Sequence, residues 1–160
     1  VSDRRAFDLG HVTEQVVKGL RYGLRRNLVV SVECEPDLAM NSYPGPYDQV
    51  LTNLVINSAV HAFPDGASGA VHIAAQASGK HNVEVLFSDD GCGMSPEVRR
   101  QVFDPFFTTR RDQGSTGLGL HIVHNIVTNR LGGRINLETR PGAGTKIRII
   151  VPREAPFAAE

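Results

Sequence analysis

The sequence predicts an α+β fold: a two-layer α/β sandwich, with a mixed sheet of about five strands carrying three main helices on one face. Two observations lead there. Three segments repeat apolar residues at helical spacing, and five short apolar segments alternate with them, many close enough to pair as hairpins. The composition suits one such domain. A chain of 160 residues is long enough to bury a core, and 41% hydrophobic against 21% charged residues marks a globular chain.

Residues Phe7 to Leu24 place Leu9, Val12, Val16, Val17, Leu20 and Leu24 on one helical face. Leu28 to Cys34 is rich in Val and reads as a strand. Tyr43-Pro-Gly-Pro46 is a turn, and Pro46 suits the first position of a helix. That helix runs to Ala62 with Val50, Leu51, Leu54 and Val55 inward, and Phe63-Pro-Asp-Gly66 stops it. Val71 to Ala77 and Val83 to Ser88 alternate as neighbouring strands joined through Ser78-Gly-Lys-His-Asn82. Ser95 before Pro96 starts a short helix reaching about Val102. Leu118, Ile122, Val123, Ile126 and Val127 repeat along a helix to Leu131, closed by Gly132-Gly133. Arg134 to Thr139 and Lys146 to Val151 form a hairpin around Arg140-Pro-Gly-Ala-Gly144. The domain is expected over residues 1–153, with 154–160 as a flexible tail.

Charge excludes one class of partner. Seventeen basic and seventeen acidic residues cancel, with no basic stripe of the kind that nucleic-acid binding needs. No apolar stretch approaches the roughly 20 residues that cross a bilayer, and no signal-peptide pattern opens the sequence. Cys34 and Cys92 have neither metal-ligand spacing nor the numbers for a disulfide framework, so a reducing, cytoplasmic compartment is expected.

Asn53 and Asn57 lie four apart and share a helix face. An amide oxygen is a fair Mg²⁺ ligand, since that ion takes oxygen donors and keeps waters and phosphates. Alone, the pair reads more readily as solvent-facing or capping amides. Asp89-Asp-Gly-Cys-Gly93 ends a strand with a carboxylate that can accept from an exocyclic amine, or simply makes a tight turn. Gly114-Ser-Thr-Gly-Leu-Gly119 runs into a helix start, where free backbone amides and the helix dipole attract anions. It is neither a P-loop nor a dinucleotide fingerprint, and by itself it is also an ordinary turn. Phe103-Asp-Pro-Phe-Phe-Thr-Thr109 lies between the two loops, and Gly142-Ala-Gly-Thr145 closes the series.

In order and spacing these five boxes resemble the catalytic domain of sensor histidine kinases in the GHKL superfamily, which has the Bergerat ATP-binding fold. The resemblance runs from about Phe7 to Pro152. It implies ATP and Mg²⁺ as ligands, with Asn53 and Asn57 as the catalytic pair, Asn57 on the metal and Asn53 supporting metal and phosphates. It implies that Asp89 bonds the adenine amino group and that Gly91, Gly93, Met94 and Thr145 shape the base pocket. Gly117 and Gly119 would bring backbone amides to the phosphates, and Leu118 and Leu120 beside them would be nucleotide-binding. Residues Thr108 to Thr116 would form a lid anchored by Phe106 and Phe107. The implied partners are a separate dimerisation domain bearing the phosphoacceptor histidine, a response-regulator receiver domain, and a second copy of the full-length protein in a homodimer.

Two departures matter. Many members carry a basic residue three positions after the second Asn, where this chain has Val60, leaving His61, Arg110 or Arg111 to meet phosphate charge. None of His11, His61, His72, His81, His121 and His124 has the acidic neighbour and nearby proline of a phosphoacceptor. The superfamily's ATPases place a Glu where Asn53 stands, to deprotonate water. An amide is no general base, so the resemblance implies phosphoryl transfer to an imidazole. The alternatives are a regulatory nucleotide-binding module without transfer activity and a GHKL ATPase.

Overall fold

The computed structural model describes residues 4–24, 27–63, 67–105 and 119–157. A two-stranded sheet pairs β1 (Arg5–Asp8) antiparallel with β3 (Ala39–Ser42). The main sheet contains β2 (Leu28–Cys34), β4 (Gly69–Ser78), β5 (Asn82–Asp89), β6 (Arg134–Thr139) and β7 (Thr145–Pro152), in the order β2-β4-β5-β7-β6. Only β2 and β4 run parallel, joined by a crossover through α2 (Pro44–His61); the other neighbours are antiparallel. The remaining helices are α1 (Leu9–Arg21), the short α3 (Pro96–Gln101) and α4 (Gly119–Asn125). The expected five-stranded mixed sheet is therefore present, with its three main helices.

Alternation in the strands decides which face is covered. Val71, Ile73 and Ala75 of β4, Val83, Val85 and Phe87 of β5, and Ile147, Ile149 and Val151 of β7 are buried. They meet Leu9 and Val17 of α1, Val50, Leu51, Leu54 and Val55 of α2, and Leu120 and Val123 of α4 in one core. The intervening residues Gln76, Lys146 and Arg148 are exposed. Within the helical layer α2 is central, touching both α1 and α4. A buried polar pair fixes the first contact: the Thr13 hydroxyl lies 2.6 Å from the Tyr47 hydroxyl and 2.8 Å from the Leu9 carbonyl. Burial pushes the ionisation of Tyr47 upward, which keeps it a neutral partner.

Three differences from the sequence reading are local. The first helix starts at Leu9, not Phe7, because Asp8 caps it: its carboxylate accepts from His11 N at 2.9 Å and from Leu38 N at 2.9 Å. Phe7 instead pairs with Met40 across β1 and β3, two strands of four residues each, too short for alternation to show. The last long helix changes to a π-helical turn over Ile126–Arg130, where Leu131 N bonds the Ile126 carbonyl. In the same stretch the Thr128 hydroxyl donates to the His124 carbonyl at 2.8 Å.

Residues 154–156, within the segment expected as a loose tail, are docked on the fold. Ala155 N donates to the Asn41 carbonyl, the Arg4 guanidinium bonds Glu154 at 2.8 Å and the Ala155 carbonyl at 3.0 Å, and Tyr43 Oη donates to the Pro156 carbonyl at 2.9 Å. Residues 158–160 lie outside the described residues. No helix among the described residues is long and apolar enough to cross a membrane.

Replacing Tyr47 by Phe removes one buried hydroxyl while Thr13 keeps its bond to Leu9. Urea unfolding should show a loss of about 1 kcal/mol; an unchanged midpoint would mean that the Thr13–Tyr47 contact contributes nothing.

Candidate nucleotide site

Two consecutive residues of α2 face two different parts of the site. Asn57 looks toward the start of α4, where a Cβ built on Gly119 would sit 3.9 Å from Asn57 Oδ1. Ser58, 3% exposed, donates to Asp89 Oδ2 at 2.8 Å. One turn of α2 thus links the end of β5 to the beginning of α4. Asn53 and His61, one turn before and one after, are half-buried on the same side.

Asp89 is the last residue of β5 and pairs with Thr145, the first of β7. Its carboxylate accepts from Ser58, from Gly91 N at 3.0 Å and from the Thr145 backbone. Burial pushes its pKa up from the ordinary value, Asp90 adds a smaller upward push, and the three hydrogen bonds oppose both. An ionised carboxylate offers about four lone-pair positions. Three internal donors leave acceptor capacity for one donor from outside.

The loops around Asp89 are held against one another. Cys92 N donates to the Ala62 carbonyl at the end of α2, and Gly142 N donates to the Cys92 carbonyl, both at 2.7 Å. Gly91 has no room for a side chain, since a Cβ there would collide with the Ala62 carbonyl. Gly93 combines φ +69° with a Cβ position occupied by the Arg140 carbonyl. Both glycines are therefore required by backbone packed on backbone. Thr139 joins the loops: its hydroxyl accepts from Met94 N at 2.9 Å, donates to the Gly144 carbonyl at 2.9 Å and lies 3.1 Å from Thr145 Oγ1.

The structure brings together Asn57, Asp89, Gly91, Gly93, Met94, Gly119 and Thr145 of the sequence-derived set. Leu120, one residue into α4, has its side chain 4% exposed and packed in the core. Phe106, Phe107, Thr108, Arg110, Arg111, Gly114, Thr116, Gly117 and Leu118 lie outside the described residues. Phe103, where the Phe-rich segment begins, is held by α4: His121 Nδ1 is 3.3 Å from its carbonyl, and the His124 ring packs on its ring at 5.4 Å. Sequence reasoning missed Ser58 and Thr139. A serine directly after Asn57 was the available signal for the first, and nothing local marked the second.

Among the described residues no cluster of three or more His, Cys, Asp or Glu side chains is present to hold a metal. The donor set fits Mg²⁺ in another way: Asn57 offers one neutral oxygen beside the α4 start, which suits an ion that takes most of its ligands from phosphates and water.

Comparison with known proteins places this arrangement. The profile of the family described as "Histidine kinase-, DNA gyrase B-, and HSP90-like ATPase" matches residues 44–155, over half of the chain. The chain belongs to that ATPase family. It is 37% identical over 128 residues to the sensor histidine kinase ZraS of Klebsiella oxytoca, covering 79% of this chain and 26% of the relative. The sensor kinase CckA of Brucella abortus is 32% identical over 91% of this chain and 18% of its own length. The chain thus spans 26% and 18% of the length of these two curated relatives. The nucleotide-free catalytic domain of the histidine kinase ThkA superposes with a TM-score of 0.81 at 28% identity, covering 95% of this chain and 97% of that one.

The raised pKa of Asp89 gives a stability test. The native state holds the Asp89 proton more tightly than the unfolded chain does, so this group stabilises the fold at low pH, and that contribution is lost as pH rises through its folded-state pKa. Asp89→Asn removes this dependence. Measured by urea unfolding from acidic to neutral pH, the variant should improve relative to the parent as pH rises; a deficit that grows with pH would contradict the assignment.

Proposed function

We propose that this chain is the ATP-binding catalytic domain of a two-component sensor histidine kinase. It binds Mg²⁺–ATP and transfers the γ-phosphoryl group to a histidine on a separate dimerisation domain, for relay to a response-regulator receiver domain. The observation that carries this reading is that one turn of α2 reaches both the end of β5 and the start of α4. Ser58 fixes Asp89 while Asn57 faces Gly119 at the start of α4.

In this reading Asp89 uses its remaining acceptor capacity for the adenine amino group. Asn53 and Asn57 stand beside the phosphates, with Asn57 Oδ1 as a metal ligand, and Mg²⁺ supplies charge neutralisation when bound. The α4 amides from Gly119, with those of Gly117 and Leu118, receive phosphate oxygens. His61, Arg110 and Thr116 supply further polar contacts, and Met94, Phe107 and Thr145 border the pocket. The site supplies positioning and electrostatics, which phosphoryl transfer chiefly requires. Asn53 bears on the choice of acceptor. An amide does not take a proton from water, whereas a neutral imidazole nitrogen attacks without needing a base. The histidine kinase ThkA, in complex with the response regulator TrrA, superposes with a TM-score of 0.76 at 26% identity, and this chain covers 42% of that protein. That complex supports a receiver domain as partner, and the greater length of ZraS and CckA supports a dimerisation domain outside this chain. The free thiols of Cys34 and Cys92 support a cytoplasmic placement.

Mixing the chain with a separately produced dimerisation domain and labelled ATP should give acid-labile phosphohistidine. Asn57→Ala should lower that transfer about a hundredfold or more, the scale of losing one preorganised charge-stabilising group, with the fold retained by circular dichroism. Unchanged transfer would place the metal elsewhere.

A further inference from the structure

Thr139 ends β6 and lies outside every glycine, Asn or Phe box, yet its hydroxyl has three polar partners. It accepts from Met94 N, donates to the Gly144 carbonyl and lies within 3.1 Å of Thr145 Oγ1. The two strands of chain it joins are 45 and 5 residues away in sequence. Each delivers one backbone donor to Asp89. Gly91 N comes from the stretch leading to Met94, and the Thr145 backbone follows Gly144. The same stretches are packed tightly, with Gly142 N on the Cys92 carbonyl and the Arg140 carbonyl filling the Cβ position of Gly93.

We propose that Thr139 is a positioning residue for base selection: its hydroxyl fixes the 91–94 and 144–145 stretches against each other, and so aims the free acceptor position of Asp89 at the purine edge. This rests on reading Asp89 as the adenine-recognising carboxylate. An amino group at the purine 6-position donates to that acceptor. A 6-oxo purine presents a carbonyl there instead and gains nothing from a well-aimed carboxylate. Loosening the two stretches should therefore weaken ATP binding much more than GTP binding.

The test is displacement of a fluorescent ATP analogue by Mg²⁺–ATP and by Mg²⁺–GTP, for the parent, Thr139→Val and Thr139→Ser. Thr139→Val should lose roughly tenfold in ATP affinity, the worth of about one hydrogen bond, with GTP affinity little changed, so that the ATP:GTP preference falls. Thr139→Ser keeps the hydroxyl and should keep the preference, which also guards against a Val variant that folds poorly. A Ser variant that loses the preference, or a Val variant that retains it, overturns the role of Thr139 alone. Equal losses for both nucleotides with a lower melting temperature would show a purely structural role and overturn it too. A parent that binds ATP and GTP equally overturns the reading of Asp89, and the role of Thr139 with it.

Discussion

A carboxylate withdrawn from water at the end of β5 needs its donors held in place, and three separate stretches of chain supply them. Ser58 comes from α2, Gly91 from the turn that follows Asp89, and the Thr145 backbone from the start of β7. An ionised group taken out of water without partners costs several kcal/mol. The register of β5 against β7 and the seating of α2 on the sheet are therefore tied to this one residue. Loops 91–95 and 140–144 complete the arrangement by packing backbone against backbone, which explains why glycines occupy them.

The position of α2 follows from the same geometry. It lies centrally in the helical layer, between α1 and α4, with Val50, Leu51, Leu54 and Val55 in the core. Those apolar residues set its rotation, and the rotation leaves Asn57 facing Gly119 and Ser58 facing Asp89. A change that turned the helix by one residue would exchange a buried serine for an amide and separate the two ends of the site. Core packing and site geometry are here one constraint.

Much of the fold was legible in sequence because burial repeats with the period of the element. Strands β2, β4, β5, β6 and β7 and helices α2 and α3 lie close to where alternation, apolar spacing and the Ser95–Pro96 start placed them. The small β1–β3 sheet was not legible, since four-residue strands hold too few alternations, and Asp8 acts through Leu38, thirty positions away. The docked end from Glu154 to Pro156 was missed for the same reason: its partners are Arg4, Asn41 and Tyr43 at the other end of the sequence. In the site, Asn57, Asp89 and the glycines announced themselves by type and spacing. Ser58 and Thr139 act through contacts 31 and 45 residues apart, which no local pattern encodes.

The central claim is that Asp89 and the Asn57 turn of α2 belong to one adenine nucleotide site. Calorimetric titration of a non-hydrolysable Mg²⁺–ATP analogue into the parent and into Asp89→Asn at neutral pH tests it most directly. Saturable heat in the parent and a binding free energy weaker by about 1–3 kcal/mol in the variant, the cost of one charge-assisted hydrogen bond, are the predicted result. Equal affinities, or no heat from the parent, would contradict it.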